Sequence, residues 1–596
     1  MITNDEVAAR FELMADLLEA QDVAHKPRAY RRAAESLRSH PTAVARLARE
    51  DPSALEDLEG VGESIATKVS EYVEEGSIGE LADLREEMPV DMATLTRVEG
   101  VGPKTVGRLH EALGVESLDD LERAAREGEI REVSGFGAKT EENIRDSVAF
   151  ARRAGDRTRL GETRPVADRV LSALREHEAV RRCDVAGSIR RWAPTVGDVD
   201  VLVASEAPEA AVAAFVDLPG MVDVIESGEK KAAVRVDTAD NAAADTRVDL
   251  RVVAPRAFGA ALQYFTGSKE HNVRLRTYAL ERDVSLNEYG AFDVSDLEEA
   301  TEVEEPDAES VRERGERVAG ETEAGMYEAL GLARIPPELR EDRGEIDAAD
   351  AGELPDLVTE AAIRGDLHTH TEYSDGDLSV VETVEAAADV GHDYLAITDH
   401  ADGPGVPAGV GIADEELRSL AAEVREVAAD APIDVLAGVE ANVDADGDLD
   451  VADGLLADLD LVVASPHSGL GGSDDATDRL VRAVEHPAVD VLGHPTGRLL
   501  TARSGLSVDP ERLGAAAAEN GVALEVNANP ARLDLGGGAV KAAIEAGATI
   551  VVDTDAHRPA EFDNLRYGVH TARRGWAEVD DVLNTRSPAE LRAFLD

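Results

Sequence analysis

The sequence predicts a multidomain chain: an all-α amino-terminal region, an α+β middle region and a carboxyl-terminal distorted α/β barrel of seven strands. Three observations carry this expectation. Helical periodicities with repeated Gly-x-Gly turns fill the first quarter of the chain. Apolar runs bearing acids on one face occupy the middle, and after Ile363 seven short apolar runs alternate with helical stretches, the pattern of buried parallel strands. At 596 residues the chain is also too long for one ordinary core.

Composition narrows the setting. The formal charge is −62, from 123 acids against 61 bases, of which only 8 are lysine. Acids are spread through every segment with apolar runs between them, which excludes a disordered acidic tail. Salt screens such self-repulsion, with a Debye length of about 3 Å at 1 M, so the composition reads as adaptation to very high salt. One cysteine, Cys183, excludes an intramolecular disulfide and fits a reducing, cytoplasmic compartment. No run approaches the roughly 18 apolar residues of a membrane span, so no membrane partner is expected. Two segments are net basic: residues 152–191 hold 11 bases against 6 acids, and 245–282 hold 7 against 4, whereas 293–309 hold 9 acids and no base. Basic islands can meet phosphate in a chain that otherwise repels it.

In the amino-terminal region, EVAARFELMADLLEAQ and AYRRAAESLRSH carry helical spacing, punctuated by Pro27 and Pro41. Three related segments follow, LEDLEGVGESIATKV, LTRVEGVGPKTVGRLHEAL and IREVSGFGAKTEENI. Each places Gly-x-Gly before a helix: Gly60 and Gly62, Gly100 and Gly102, Gly135 and Gly137. Such turns allow close backbone approach and leave amide N–H groups at a helix start to hold a phosphate. One copy is an ordinary connector, but three point to a repeated backbone-binding device.

The middle region begins with CDVAGSIRRWAPTVGDVDVLVAS, which contains Gly187, Ser188, Arg191, Asp198 and Asp200. Strand alternation puts Asp198 and Asp200 on one face while Val199 and Val201 point inward. Asp249 sits in TRVDLRVV with Arg247 and Arg251 on its face. Three carboxylates from two strands suit a paired-metal site for in-line phosphoryl transfer, with ions about 3.5 to 4 Å apart. Downstream, Tyr264, Phe265 and Gly267 open a basic helix carrying Asn272 and Arg276.

The barrel runs are GDLHTHTEYSDG with His368, His370 and Asp375; YLAITDH with His400; VLAGVE with Glu440; LVVASPH with His467; VDVLGHP with His494; VALEVNA; and TIVVDTDAH with Asp555 and His557. All but VALEVNA end in a candidate ligand. Strand carboxyl ends of an α/β barrel open on one face, so these residues can converge. His392, His486 and His570 fall outside the series and read as ordinary surface or core residues. Mixed imidazole and carboxylate donors suit zinc, manganese or iron rather than calcium.

On these motifs residues 1 to about 345 resemble a family X DNA polymerase, and residues 363 to about 575 resemble the PHP domain, in the bacterial or archaeal combination. The resemblance implies a helical lyase-like DNA-binding domain over 1–90, a helix-hairpin-helix fingers region over 91–155, a nucleotidyltransferase palm over 156–255 and a thumb over 256–345. A polar, Pro- and Gly-interrupted linker over 346–362 and a PHP phosphoesterase domain over 363–596 complete it. It implies that the six glycines contact DNA and that Lys68 stands where a lyase nucleophile would, with Ser64 in place of a second lysine. Asp198, Asp200 and Asp249 fall on catalytic ligands of Mg2+ or Mn2+, Asp249 being the carboxylate associated with the primer 3′-hydroxyl. Gly187, Ser188, Arg191, Tyr264, Phe265, Gly267, Asn272 and Arg276 fall on positions contacting the incoming nucleotide or the nascent pair. Three ions of Zn2+, Mn2+ or Fe are implied in the barrel: one on His368, His370, Glu440 and Asp555, a second on Glu440, His467 and His494, a third on Asp375, His400 and His557. The implied enzyme is a monomeric repair polymerase filling gapped or nicked DNA with dNTPs, joined to a 3′-5′ exonuclease or 3′-end phosphoesterase. Two alternatives are a histidinol-phosphate-type phosphatase with an idle polymerase half and a non-enzymatic DNA-end scaffold. The first predicts erosion of Asp198, Asp200 or Asp249, and the second leaves two metal constellations unexplained.

Overall fold

The structure, a computed structural model, describes residues 4–23, 26–39, 44–50, 55, 58, 60–96, 98, 101–142, 144, 145, 148, 157–236, 246–295, 315–407, 409–470 and 475–595. Through residue 148 the regular elements among the described residues are helices, from Asn4–Ala20 and Lys26–Ser39 to Glu63–Glu75, Pro103–Leu113 and Leu118–Glu127. Val7, Phe11, Met14 and Leu18 recur at helical spacing and bury one stripe of the first helix against Tyr30, Ala33 and Leu37 of the second. One core runs from Val7 to Val148, across the 90/91 division expected from sequence.

The middle region is built on a five-stranded mixed sheet in the order Arg182–Val185, Val199–Ala204, Thr246–Val253, Lys231–Val236, Met221–Ser227. Val199, Val201 and Val203 bury with Val166, Val170 and Leu174 of the helix Leu160–Arg175. Alternation turns the intervening side chains outward. Only the pair Val199–Ala204 and Thr246–Val253 is parallel, and its register sets Asp200 directly beside Asp249.

Beyond it, helices Phe258–Thr266 and Lys269–Leu280 and a three-stranded sheet surround a buried ion cluster. Glu323 accepts hydrogen bonds from Arg190 at 2.7 and 3.0 Å, from Arg340 at 2.8 Å and from Arg334 at 2.8 Å. Burial works against its charge, yet Arg340 and Arg190 hold its carboxyl well below the ordinary carboxylate range. Arg340 itself is fully buried.

The expected linker over 346–362 is a packed segment, which corrects the sequence reading. A helix, Glu345–Ala351, occupies its start, and Ile346, Ala349 and Leu357 join the core around Tyr327. Val358 joins the barrel core, and its N–H donates to Ala577 O at 2.9 Å. Helically spaced apolar residues hid among acids, so composition alone suggested a spacer. Trp192 of the middle region also stacks on His570 of the barrel, centroids 3.6 Å apart, and Glu338 accepts from His570 and Arg573, both at 2.8 Å. The run 293–309 lies largely outside the described residues.

Seven parallel strands form a nearly closed barrel in sequence order: Gly365–Asp366, Tyr394–Ile397, Asp434–Val443, Leu461–Pro466, Val491–Leu492, Ala523–Asn527 and Thr549–Asp553. Tyr394, Ala396, Leu436, Val463 and Val551 form the inner core with Leu591 of the last helix, whereas Leu395, Ile397, Val435 and Val552 pack with the surrounding helices. That split follows from strand alternation.

Removing Glu323 strands buried guanidinium groups, and breaking such a pair costs about 3–5 kcal/mol. Glu323→Ala should therefore lower the urea midpoint of the tryptophan-fluorescence transition; an unchanged midpoint would show that the cluster does not hold this region together.

Candidate metal centres

The loop after the first barrel strand is pinned before it delivers ligands. Asp399 accepts from Thr371 N at 2.9 Å and Oγ1 at 2.8 Å, and from Ser374 N at 3.1 Å and Oγ at 2.6 Å. His368, His370 and Asp375 are carried on this loop. Glu440 ends inside the third strand, fully buried. His467 follows the fourth strand and His494 the fifth; Asp555 and His557 follow the seventh.

The nine predicted side chains meet at the carboxyl edge. His368 Nε2 lies 3.4 Å from Glu440 Oε1 and 3.9 Å from Asp555 Oδ1, and His370 Nε2 lies 3.1 Å from Asp555 Oδ1. Glu440 Oε1 is 3.2 Å from His467 Nε2 and 2.9 Å from His494 Nε2. Asp375 Oδ1 is 3.2 Å from His557 Nε2 and 3.6 Å from His400 Nε2. Potential ligand atoms gather within 4.8 Å in three groups: His370, Asp375, His400 and His557; His368, His370 and Glu440; His400, Glu440 and His467. His370 and His400 thus border two groups each, which strict strand-by-strand assignment did not anticipate.

Ring orientation is set from behind. His368 Nδ1 lies 2.7 Å from Glu525 Oε1, His467 Nδ1 lies 2.5 Å from Asn442 Oδ1, and His557 Nδ1 lies 2.8 Å from Asp555 O. With Nδ1 held by each oxygen, Nε2 is turned inward, free to present a lone pair once the ring is neutral. The front atoms are short of partners: His368 Nε2, both nitrogens of His370, His467 Nε2 and Glu440 Oε2 are buried without a hydrogen bond, and so is His494 Nδ1, whose Nε2 faces Glu440. Buried polar atoms normally find partners. His400 Nδ1 even approaches Glu440 Oε2 to 2.6 Å without hydrogen-bond alignment. Six imidazoles and three carboxylates presented this way fit transition-metal ions.

Charges are strongly shifted. Burial disfavours the Glu440 carboxylate, but His400, His467 and His368 hold it well below the usual range. Burial likewise opposes charge on His557, yet Asp375 and Asp555 draw its pKa up to about 9. His370, buried between His400 and His557, falls to about 3.

Sequence reading missed the supporting residues. Glu525, fully buried on the sixth strand, orients His368 and accepts the His494 backbone N–H, so VALEVNA contributes a positioning carboxylate rather than a ligand. The signal was available, since an acid inside an apolar run is seldom buried unpaired. Asn442 follows Glu440 by two residues on the third strand, and Arg532 approaches Asp555 to 3.7 Å. The three histidines set aside are structural: His392 is buried near Phe562, His486 lies 3.7 Å from Asp453, and His570 serves the junction.

In the middle region, Asp200 and Asp249 border a cavity of about 230 Å3 shared with Arg247, Arg251 and Phe265. Burial, then Asp198 and Asp249, push the Asp200 carboxyl up to about 6. Gly187 has φ +63°, and a Cβ there would lie 2.5 Å from Asp200 Oδ2, so only glycine fits beside the acid. Arg247 donates to both oxygens of Asp249 at 2.9 and 3.0 Å. Those hydrogen bonds draw Asp249 aside, and among the described residues the three aspartates do not close into a group like those of the barrel. Ser188 follows Gly187 at the start of the short helix Gly187–Arg190. Arg191 is engaged by Glu341 at 3.1 Å and Thr266 O at 2.5 Å. Tyr264 and Phe265 pack edge to face, and Asn272 donates to Tyr264 O at 2.7 Å while accepting from Gln263. Gly267 follows them at φ +68°, and Arg276 lies on the helix Lys269–Leu280.

Gly62 and Gly102 cap helix starts, and no atom lies within 4 Å of a Cβ built on them or on Gly137. Space inside the protein therefore does not demand glycine there. Gly60 and Gly135 have φ of +74° and +88°; Gly100 lies outside the described residues. Lys68 donates to Ser64 Oγ at 2.9 Å and pairs with Glu80 at 3.2 Å, and Lys26 meets the other Glu80 oxygen at 3.1 Å.

Comparison with known proteins gives matches to a helix-hairpin-helix domain over residues 2–78, a SAM-like helix-hairpin-helix tandem over 92–149, the DNA polymerase beta thumb over 261–341 and the PHP domain over 366–529. The chain is 33% identical over 594 residues, 99% of both chains, to the DNA polymerase/3′-5′ exonuclease PolX of Bacillus subtilis strain 168. It is 27% identical over 244 residues to DNA polymerase lambda of Rattus norvegicus, covering 39% of this chain and 40% of that one. A Shewanella sp. strain MR-4 protein named a probable phosphatase is 31% identical over 248 residues, 39% of this chain and 90% of its own.

Metal ligation needs neutral imidazole, whereas the His557 imidazole, its pKa drawn up to about 9 by Asp375 and Asp555, holds a proton at pH 7.5. Mn2+ uptake should therefore release about one proton or more per chain at pH 7.5 and progressively less above pH 9. Calorimetry in buffers of differing ionisation enthalpy reads this, and uptake without proton release at pH 7.5 would contradict the assigned cluster.

Proposed function

The chain belongs to the family X DNA polymerases with a carboxyl-terminal PHP domain, and from that premise we propose that it fills short gaps in DNA during repair and trims or cleans 3′ ends at the barrel. The observation that carries this reading is the coexistence, in one chain, of paired strand acids at Asp200 and Asp249 and the barrel cluster, seven residues in three close groups with His494 and Asp555 against them.

At the palm, Asp198, Asp200 and Asp249 would hold divalent ions, Mg2+ or Mn2+, which would supply charge neutralisation for in-line transfer of a nucleotidyl group. Arg191 and Ser188, beside Gly187, receive the incoming triphosphate, and Tyr264 and Phe265 flank its sugar. Asp249 lies near the primer 3′-hydroxyl, and its two hydrogen bonds to Arg247 must open before it can take that role. Asn272 and Arg276 face the nascent pair.

At the barrel, three ions of zinc, manganese or iron fit the three groups, and when bound they supply Lewis-acid neutralisation of a phosphodiester and acidified water. Glu525, Asn442 and the Asp555 carbonyl keep three imidazoles turned inward, and Arg532 adds a fixed positive charge beside Asp555. The Gly-x-Gly turns hold the DNA backbone without reading its sequence. Lys68 shares Glu80 with Lys26, and this ion-paired setting supports a role for Lys68 in phosphate contact over one as an amine nucleophile.

Separate variants assayed on a gapped duplex with dNTPs and Mn2+ test the division of labour. Asp198→Ala should lose extension by more than about 100-fold and keep 3′-end hydrolysis, and His368→Ala should do the reverse, since even supporting residues cost 10–100-fold. Loss of both activities in either variant would contradict two independent sites, and loss of neither would sink the reading.

A further inference from the structure

Where the middle region meets the barrel, a cavity of about 310 Å3 is lined by Arg343, Arg498, Arg574, Thr496, Asp534 and the turn of Gly536, Gly537 and Gly538. Arginine gathers here in a chain with 123 acids and 61 bases. Arg574, 9% exposed, donates to Arg191 O at 2.5 Å and to Glu341 Oε1 at 2.9 Å, the same oxygen that receives Arg191 at 3.1 Å. One carboxylate thus serves two guanidinium groups.

Neither of the other two arginines forms a contact ion pair with a carboxylate among the described residues, although Arg498 feels the charge of Asp534. Arg498 donates through Nε to Arg532 O at 2.9 Å and through Nη2 to Leu533 O, both uncharged carbonyls. Its Nη1 carries no such bond and lies 2.6 Å from where a Cβ on Gly536 would sit, at the entry to the helix Gly537–Glu545. Arg343 is exposed, and its guanidinium reaches 3.5 Å from the corresponding position on Gly538. That helix has neither a side-chain cap nor an acid in its first turn. The one acid lining the cavity, Asp534, is fully buried and already accepts from Thr496 N at 3.0 Å and Oγ1 at 2.9 Å. Burial pushes its pKa up, against the pull of Arg498 and Arg532.

Guanidinium forks match phosphate oxygens, and amide N–H groups at a helix start add to the same field. We propose that this junction cavity binds a phosphate group, either free inorganic phosphate or the phosphate of a nucleoside monophosphate, between Arg343, Arg498 and the Gly536–Gly538 turn. The site is separate from both metal constellations and does not depend on their assignment. It backs onto Arg574 and, through Glu341, onto Arg191.

Full-length, metal-loaded protein titrated calorimetrically with inorganic phosphate and with a deoxynucleoside monophosphate tests this, because any phosphate taken by the metal centres is common to all variants. Arg343→Gln should weaken one saturable site about tenfold or more while extension and 3′-end hydrolysis stay at the wild-type level. Arg498→Gln should remove that site; if it fails to fold, the exposed Arg343→Gln decides alone. Equal affinity for the two ligands identifies free phosphate as the occupant, and tighter nucleotide binding identifies the monophosphate. Identical titrations for wild type and Arg343→Gln overturn the proposal.

Discussion

Glu440 is a fully buried carboxylate facing five imidazoles, with His400 at 2.6 Å, His494 at 2.9 Å, His467 at 3.2 Å, His368 at 3.4 Å and His370 at 3.8 Å. A charge at such depth costs several kcal/mol unless opposite charge surrounds it. That condition shapes the barrel's open edge. Only parallel strands end on one face, so this topology lets residues from 368 to 494 share one anion. Glu525 and Asn442 then hold the rings in place, and both are fully buried because a loose ring would leave Glu440 unpaired.

A related constraint governs the palm at lower intensity. The parallel register puts Asp200 against Asp249, and their repulsion, added to burial, raises Asp200 toward neutrality. Arg247 absorbs part of that repulsion through Asp249. Both sites therefore concentrate negative charge that divalent cations would relieve, one through mixed donors and the other through carboxylates alone. Packing of Trp192 on His570, with Glu338 beneath, binds the two halves into contiguous structure.

Much of this was legible in the sequence. The convergence of the barrel's candidate ligands was readable because each polar residue interrupts or ends an apolar strand, and strand ends of a barrel must converge. The outward facing of Asp200 and Asp249 followed from period-two alternation, whereas Asp198 lies just before its strand and is exposed. What escaped depended on contacts that no local pattern encodes. Glu525 looked like one more acid in an acidic chain, although its position within an apolar run marked it. The segment 346–362 looked like a spacer, because its apolar residues pack on two different cores. Lys26, far from Lys68 in sequence, reaches the same carboxylate only through the helical packing.

The central claim is that the barrel is a multi-ion centre organised by Glu440, and metal stoichiometry tests it most directly. Elemental analysis of the Mn2+-loaded chain after removal of loosely held ion should find three barrel ions, one for each ligand group, and Glu440→Gln should lose at least two, because Glu440 belongs to two of the groups. An unchanged metal complement in Glu440→Gln would contradict the account.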